Sequence, residues 1–75
     1  MGKQYKNQNY IVNVGKKLVE IRKARSISQE QLQELTGFDT RQIGRIERAE
    51  TNASISIIKA ICDALKISVS DLLDV

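Results

Sequence analysis

Three arginines at helical spacing are the residues of this sequence with the clearest binding chemistry. Arg41, Arg45 and Arg48 occur in the segment TRQIGRIER, and at about 100° per residue they fall within a stripe roughly 60° wide. Ile43 and Ile46 project to nearly the opposite side of the same helix. An arginine can donate two parallel hydrogen bonds to a phosphate or to O6 and N7 of guanine. The spacing therefore predicts a helix with one core face and one anion-binding face.

The sequence lacks the residue sets that are typical of enzymes and metal sites. It contains no histidine and a single cysteine, Cys62, so the commonest general base is missing and a zinc site would depend on one thiolate. It has no glycine-rich phosphate loop and no serine beside an activating partner. We therefore predict that the protein is not an enzyme and uses no cofactor and no metal. Cys62 lies in an apolar helical stripe and is interpreted as a small core residue.

Basic charge is concentrated in particular parts of the chain. Residues 1–25 hold seven Lys or Arg and one Glu, whereas residues 26–40 hold three acidic residues and no basic one. A solvated basic surface explains most charge patterns of this kind in small domains, so the helix motif has to supply the evidence for a nucleic-acid partner. No apolar run approaches the roughly 18 residues that cross a bilayer, and no signal-peptide pattern is found. These features predict a cytoplasmic protein without membrane association.

Hydrophobic periodicity and capping residues predict five helices and no strand. Residues 1–9 are polar and without periodicity, and we interpret them as a flexible basic tail before a domain at residues 10–75. The first helix is predicted from residue 11 or 12 to residue 25, and Gly37 ends the second in a left-handed conformation. The predicted N-caps of the last four helices are Ser28, Asp39, Ser54 and Ser68. Gln31, Gln42 and Asp71 are the predicted reciprocal partners of Ser28, Asp39 and Ser68, in that order.

The apolar positions of these helices predict one shared core. They recur three or four residues apart, as expected for one buried stripe on each helix. The last helix is short and contributes apolar residues near the C-terminus. The predicted core residues are Val14, Leu18, Ile21, Leu32, Leu35, Ile43, Ile46, Ile58, Ile61, Cys62 and Leu65, followed by apolar Val69, Leu72 and Leu73.

From Gly15 to Val75 the sequence resembles the Cro and phage-repressor (Xre-type) helix-turn-helix family. The segments GKKLVEIRKARSISQEQL, TGFDTRQIGRIERAE and SISIIKAICDALKISVSDLL carry the resemblance through their order and spacing. It implies an all-α, five-helix, lambda-repressor-like DNA-binding domain with a helix-turn-helix at helices 2 and 3. It also implies an ion pair between Arg22 and Glu47 that joins helix 1 to helix 3.

The sequence departs from the family pattern in the helix-turn-helix and in two loops. Gln33 stands where a small residue is usual, so its side chain is predicted to bend outward or to widen the crossing of helices 2 and 3. Ser26 and Ala49 stand where glycines are usual. The order and spacing of the five helices are unaffected by these departures.

The resemblance assigns DNA contacts to positions in and around helices 2 and 3. Thr40, Arg41 and Arg45 are expected to face base edges, and Arg48 with the following loop is expected to contact phosphates. Gly44 is unusual in a helix interior, and we expect it to face outward and let the backbone approach the groove floor. The predicted DNA-binding residues are Gln29, Thr40, Arg41, Gln42, Gly44, Arg45, Arg48, Thr51 and Asn52.

These features predict a sequence-specific, double-stranded DNA-binding transcription regulator of the repressor type. The resemblance implies a homodimer on a two-fold operator, and Leu72, Leu73 and Val75 are the predicted dimer contacts. An antitoxin-type regulator and a protein-interaction adaptor of the same fold stay open as alternatives. An RNA binder is disfavoured by the two tyrosines and one phenylalanine, too few for base-stacking platforms. The sequence does not identify a further protein partner such as a toxin or a polymerase.

Overall fold

Five helices follow one another along residues 7–75, the part of the chain that this computed structural model describes. They are α1 (Gln8–Ala24), α2 (Gln29–Thr36), α3 (Thr40–Glu47), α4 (Ile55–Leu65) and α5 (Val69–Leu73). No strand occurs in this range, so the predicted all-α class is confirmed. α3 packs against α1 and α2, and α5 packs against α1 and α4. None of these helices is long and apolar enough to cross a bilayer.

Side-chain caps start the short helices where the sequence predicts them. The Ser28 hydroxyl accepts a hydrogen bond from the Gln31 N–H at 3.0 Å, and the Gln31 side chain accepts one from the Ser28 N–H at 2.8 Å. Ser68 and Asp71 form the same capping box at α5, and Ser54 caps α4. Each cap satisfies backbone donors that a short helix would otherwise leave without a partner.

The start of α1 differs from the prediction. The helix begins at Gln8, three residues before the earliest predicted start. Asn7 accepts a hydrogen bond from the Tyr10 N–H at 3.1 Å, and the Tyr10 hydroxyl donates to the Leu73 carbonyl of α5. These contacts order a polar first turn that has no hydrophobic periodicity. The end of the predicted tail therefore belongs to the helix, and residues 1–6 lie outside the described part of the chain.

The core is close to the one predicted. Its buried hydrophobic residues are Val14, Leu18, Leu32, Ile43, Ile46, Ile58, Ile61, Cys62, Leu65 and Leu72. Ile21 is half-buried at the edge of this cluster. The prediction for Leu35 is wrong because α2 turns Leu32 inward and leaves Leu35 59% exposed. Leu72 is fully buried, so its prediction as a dimer contact is also wrong.

Helices α1 to α4 each end near a residue with left-handed backbone. Gly37 has a φ of 82°, as predicted, and Ser26, Ala49 and Lys66 have φ of 56°, 59° and 58°. After each of these three, the next N–H donates to the carbonyl five residues back, at 2.8–3.0 Å. This is the Schellman arrangement, which glycine usually completes. The loops at Ser26 and Ala49 keep that geometry although they carry side chains.

A close helix crossing at Gly15 fixes α3 against α1. A Cβ atom at Gly15 would lie 2.6 Å from the Glu47 carbonyl oxygen and 2.8 Å from the Ile46 carbonyl oxygen. Real Cβ atoms do not approach backbone oxygens so closely, so only glycine permits this crossing. The sequence analysis gives Gly15 no role, because a glycine in a helical pattern does not reveal what packs on it.

We expect Gly15→Ala to destabilise the protein by about 1–3 kcal/mol, since overpacking forces the two backbones apart. Urea unfolding measures the change. Gly44→Ala is the matched control, because a Cβ there meets the Arg48 guanidinium, which can move. That control is expected to be as stable as the wild type or up to about 1 kcal/mol more stable. Equal midpoints for Gly15→Ala and the wild type would show that the crossing tolerates a side chain.

Candidate nucleic-acid interface

Two side chains cap the N-terminus of α3, one from the residue before the helix and one from α2. The Asp39 carboxylate accepts a hydrogen bond from the Arg41 N–H at 2.7 Å, and this bond holds the pKa of Asp39 below its usual value. The Gln33 side chain of α2 accepts another from the Thr40 N–H at 2.8 Å. Gln33 thus bends outward, as predicted, and caps α3. The reciprocal capping role predicted for Gln42 is wrong. The Asp39 carboxylate reaches only the N–H of Arg41, and the N–H of Thr40 donates to Gln33.

Two arginines stand on the exposed face of α3. Ile43 and Ile46 are buried on its other face, as predicted, and Arg41 and Arg45 are exposed. Arg41 has a loose partner two residues back, since its Nε lies 3.5 Å from Asp39 Oδ1 with the arginine side chain 85% exposed. Arg45 makes no ion pair with any described residue.

Arg48 is held by a residue that the sequence analysis missed. Its Nε donates to Glu50 Oε2 at 2.8 Å and its Nη2 to Glu50 Oε1 at 3.3 Å. The hydrogen bond from Arg48 lowers the pKa of Glu50 and raises that of Arg48. Residues two apart on a helix do not face each other, but the chain leaves the helix at Ala49 and turns Glu50 back. The place of Ala49, where glycine is usual, was the signal for this turn.

Gly44 lies beneath the Arg48 side chain. It is buried, and a Cβ on it would lie 2.8 Å from Arg48 Nη1. The expectation that Gly44 faces outward with an open backbone is therefore wrong, because a neighbouring side chain covers it. Its part in a DNA interface stays a prediction.

One carboxylate joins the first three helices. Glu47 accepts hydrogen bonds from Arg22 at 2.8 and 3.2 Å and from the Gln29 side chain at 2.8 Å. The Arg22 and Glu47 side chains are only 11% and 6% exposed, so the predicted ion pair is confirmed as a largely buried one. Gln29 was predicted for DNA contact. Its side-chain amide is engaged by Glu47, and its DNA contact stays a prediction.

An open groove brings several predicted residues together. Arg41, Gln42 and Arg45 of α3 line it with Thr51 and Asn52 of the loop before α4. Thr40 and Gly44 of α3 lie outside this lining, as do Arg48, which follows the last residue of α3, and Gln29 of α2. Asp39 also lines the groove, which therefore combines one carboxylate with guanidinium, amide and hydroxyl groups. The latter three are the donors that contact base edges and phosphates.

A family model described as helix-turn-helix matches residues 18–72. The chain belongs to the helix-turn-helix family. Its match to the Xre/Cro-type model confirms the resemblance seen in the sequence. The matched segment contains α2, α3 and α4 entirely, so it includes the helix-turn-helix and the groove beside it.

Similar proteins include regulators of known structure. Control protein C.SmaI of Serratia marcescens is 40% identical over 52 residues, which are 69% of this chain and 62% of that protein. The crystal structure of the restriction-modification controller protein C.AhdI from Aeromonas hydrophila is 37% identical and superposes with a TM-score of 0.80, covering 83% of this chain and 94% of that one. The DNA-binding domain of BldD has a TM-score of 0.83 at 21% identity over 91% of this chain and 99% of its own, and shows the shared fold alone.

We expect Glu47→Gln to destabilise the protein by about 3 kcal/mol or more, because it leaves the buried Arg22 charge without its partner. Chemical unfolding at neutral pH measures the effect. Asp63→Asn is the matched control, since Lys59 and Asp63 form an ion pair of the same length, 2.8 Å, on the surface of α4. That variant is expected to unfold like the wild type. Similar midpoints for the two variants would show that burial adds nothing to the Arg22–Glu47 pair.

Proposed function

We propose that this protein is a transcription regulator of the repressor type, which binds double-stranded DNA sequence-specifically as a homodimer and places α3 in the major groove. The observation that carries the proposal is the division of α3 into a buried isoleucine face and an exposed face with Arg41 and Arg45. Arginine can donate bidentately to guanine in the major groove. Thr51 and Asn52 line the same groove, which supports a role for them as contacts to the backbone phosphates beside it.

The relatives favour a particular regulatory setting. C.AhdI is described as a restriction-modification controller protein and C.SmaI as a control protein. At 37% and 40% identity these relatives support more than a shared fold, so the proposal includes a role as such a controller, acting on promoter DNA in the cytoplasm. An adaptor of the same fold would show no salt-sensitive duplex binding. An antitoxin-type regulator would be distinguished by an accessory segment that binds a toxin.

An exposed apolar surface supports the homodimer. Ile55 is 84% exposed, Val75 47% and Tyr10 37%. Ile55, Tyr10 and Leu73 line an apolar cleft of ≈ 170 Å³ in which no charged side chain of the described residues takes part. A second copy offers the same uncharged surface, as a two-fold interface requires. Two copies would present two α3 helices to successive major grooves about 34–36 Å apart.

Selection of bound duplexes from a random pool, followed by sequencing, tests the proposal as a whole. We expect an enriched site with two-fold symmetry and half-sites about one helical turn apart. A pool without enrichment would contradict sequence-specific binding, and an enriched site without symmetry would contradict the dimer.

We expect Arg41→Ala and Arg45→Ala each to weaken binding to the selected site by about 1–3 kcal/mol and to flatten the preference at one or two base pairs. Fluorescence anisotropy titrations on selected and random duplexes measure both effects. Lys59→Ala controls for the loss of one positive charge, since Lys59 lies on α4 and does not line the groove. Equal losses on selected and random DNA would show that these arginines contact only the backbone.

We expect Ile55→Asn to weaken dimerisation, which sedimentation equilibrium measures, while leaving the melting temperature of the monomer nearly unchanged. The physical reason is that a polar amide would be buried in the apolar interface, although the position is exposed in the single chain. Leu35→Asn is the control, because Leu35 is also an exposed apolar residue but lies on α2. A dimer as strong as that of the wild type would remove Ile55 from the interface.

A further inference from the structure

We propose that Arg48 reads a base pair, and that Glu50 and Gly44 are positioning residues for its guanidinium. The proposal rests on the proposed function, because it requires α3 to lie in the major groove. It changes the role expected for Arg48 from a phosphate contact, which carries no sequence information, to a contact that determines specificity.

The position of the guanidinium is the first argument. Side chains on helices lean toward the N-terminus and cover the preceding turn. Arg48 Nη1 accordingly lies 2.8 Å from the place where a Cβ of Gly44 would be, four residues before its own Cα. The charge of a residue at the end of α3 is thus carried back to the middle of the helix. It lies there beside the stripe of Arg41 and Arg45.

The donors that remain are the second argument. Arginine has five N–H donors in a rigid fork. Glu50 accepts from Nε and Nη2, the side edge of the fork. The end edge, formed by Nη1 and Nη2, keeps the two parallel donors that match O6 and N7 of guanine. The side chains of Arg48 and Glu50 are 60% and 52% exposed, so the pair as a whole is open to a ligand.

The charge of the pair favours a base over a phosphate. Arg48 and Glu50 together carry no net charge, and the Glu50 carboxylate repels a phosphate placed beside it. A guanine edge offers two acceptors without a full negative charge. Holding the guanidinium before binding also lowers the side-chain entropy that is lost on contact.

The backbone keeps Glu50 in place. Ala49 has a left-handed φ of 59°, and the Glu50 N–H donates to the Arg45 carbonyl at 2.8 Å. Gly44 supplies the space on the other side of the guanidinium. A glycine in a helix interior costs about 1 kcal/mol relative to alanine. At Gly44 this cost leaves the space that the Arg48 guanidinium occupies.

The experiment compares four variants with the wild type on the selected site and on duplexes that carry single base-pair changes. Arg48→Lys keeps the charge and loses the fork. Glu50→Gln weakens the hydrogen bonds that hold the Arg48 guanidinium, and Gly44→Ala fills the space that this guanidinium occupies. Asp63→Asn is the matched control, because it disrupts an exposed ion pair on α4 of the same 2.8 Å length. Melting curves confirm that each variant is folded.

We expect Arg48→Lys to lose about 5- to 150-fold of discrimination at one base pair, the range of a bidentate arginine contact. Glu50→Gln and Gly44→Ala are expected to reduce discrimination at that same base pair and to leave the other positions unchanged. Asp63→Asn is expected to keep every preference of the wild type. A merely structural role of Glu50 or Gly44 would change stability without singling out one base pair.

Two results would overturn the inference while leaving the proposed function intact. The first is an Arg48→Lys variant with every preference of the wild type. The second is a Glu50→Gln variant that binds random duplex more tightly, with a salt slope steeper by about 0.9 and unchanged preferences. That result would make Arg48 a phosphate contact that Glu50 restrains. A wild-type protein without sequence preference would overturn the proposed function and this inference together.

Discussion

The position of α3 depends on the contacts of Glu47. Its carbonyl oxygen lies against Gly15 of α1, and its carboxylate binds Arg22 of α1 and Gln29 of α2. The backbone contact sets how closely α3 approaches α1, and the side-chain contacts set its rotation. A helix of eight residues has little stability of its own. The contacts of Glu47 therefore help to hold the exposed arginines in their direction.

The two ends of α3 are stabilised by different physics. At the N-terminus, Asp39 and Gln33 satisfy backbone donors at the surface, so this end remains accessible. At the C-terminus, the largely buried ion pair between Arg22 and Glu47 holds the helix. The end of α3 that carries Arg41 is therefore exposed, whereas the end that carries Glu47 is largely buried.

Local rules were sufficient to predict most of the fold. The capping boxes at Ser28 and Ser68 and the left-handed Gly37 follow from nearest-neighbour chemistry, and the structure confirms them. The errors arise where distant residues decide. Leu35 has the right spacing for a core position, but no helix covers it, and Gly15 matters only through the carbonyls that it meets. For the site, helical geometry placed Arg41 and Arg45 correctly. It could not place Glu50, which lies beyond the helix end and reaches Arg48 only through the backbone turn at Ala49.

The left-handed Ser26, Ala49 and Lys66 have a consequence for the lifetime of the protein. Each holds a side chain where the backbone conformation costs about 1–2 kcal/mol, against a total stability that for small domains is about 5–15 kcal/mol. This fold is therefore less stable than its helices and core would allow. A larger unfolded fraction is more accessible to cellular proteases. Loop geometry at three helix ends thus influences how long a molecule of this protein survives where proteases are present.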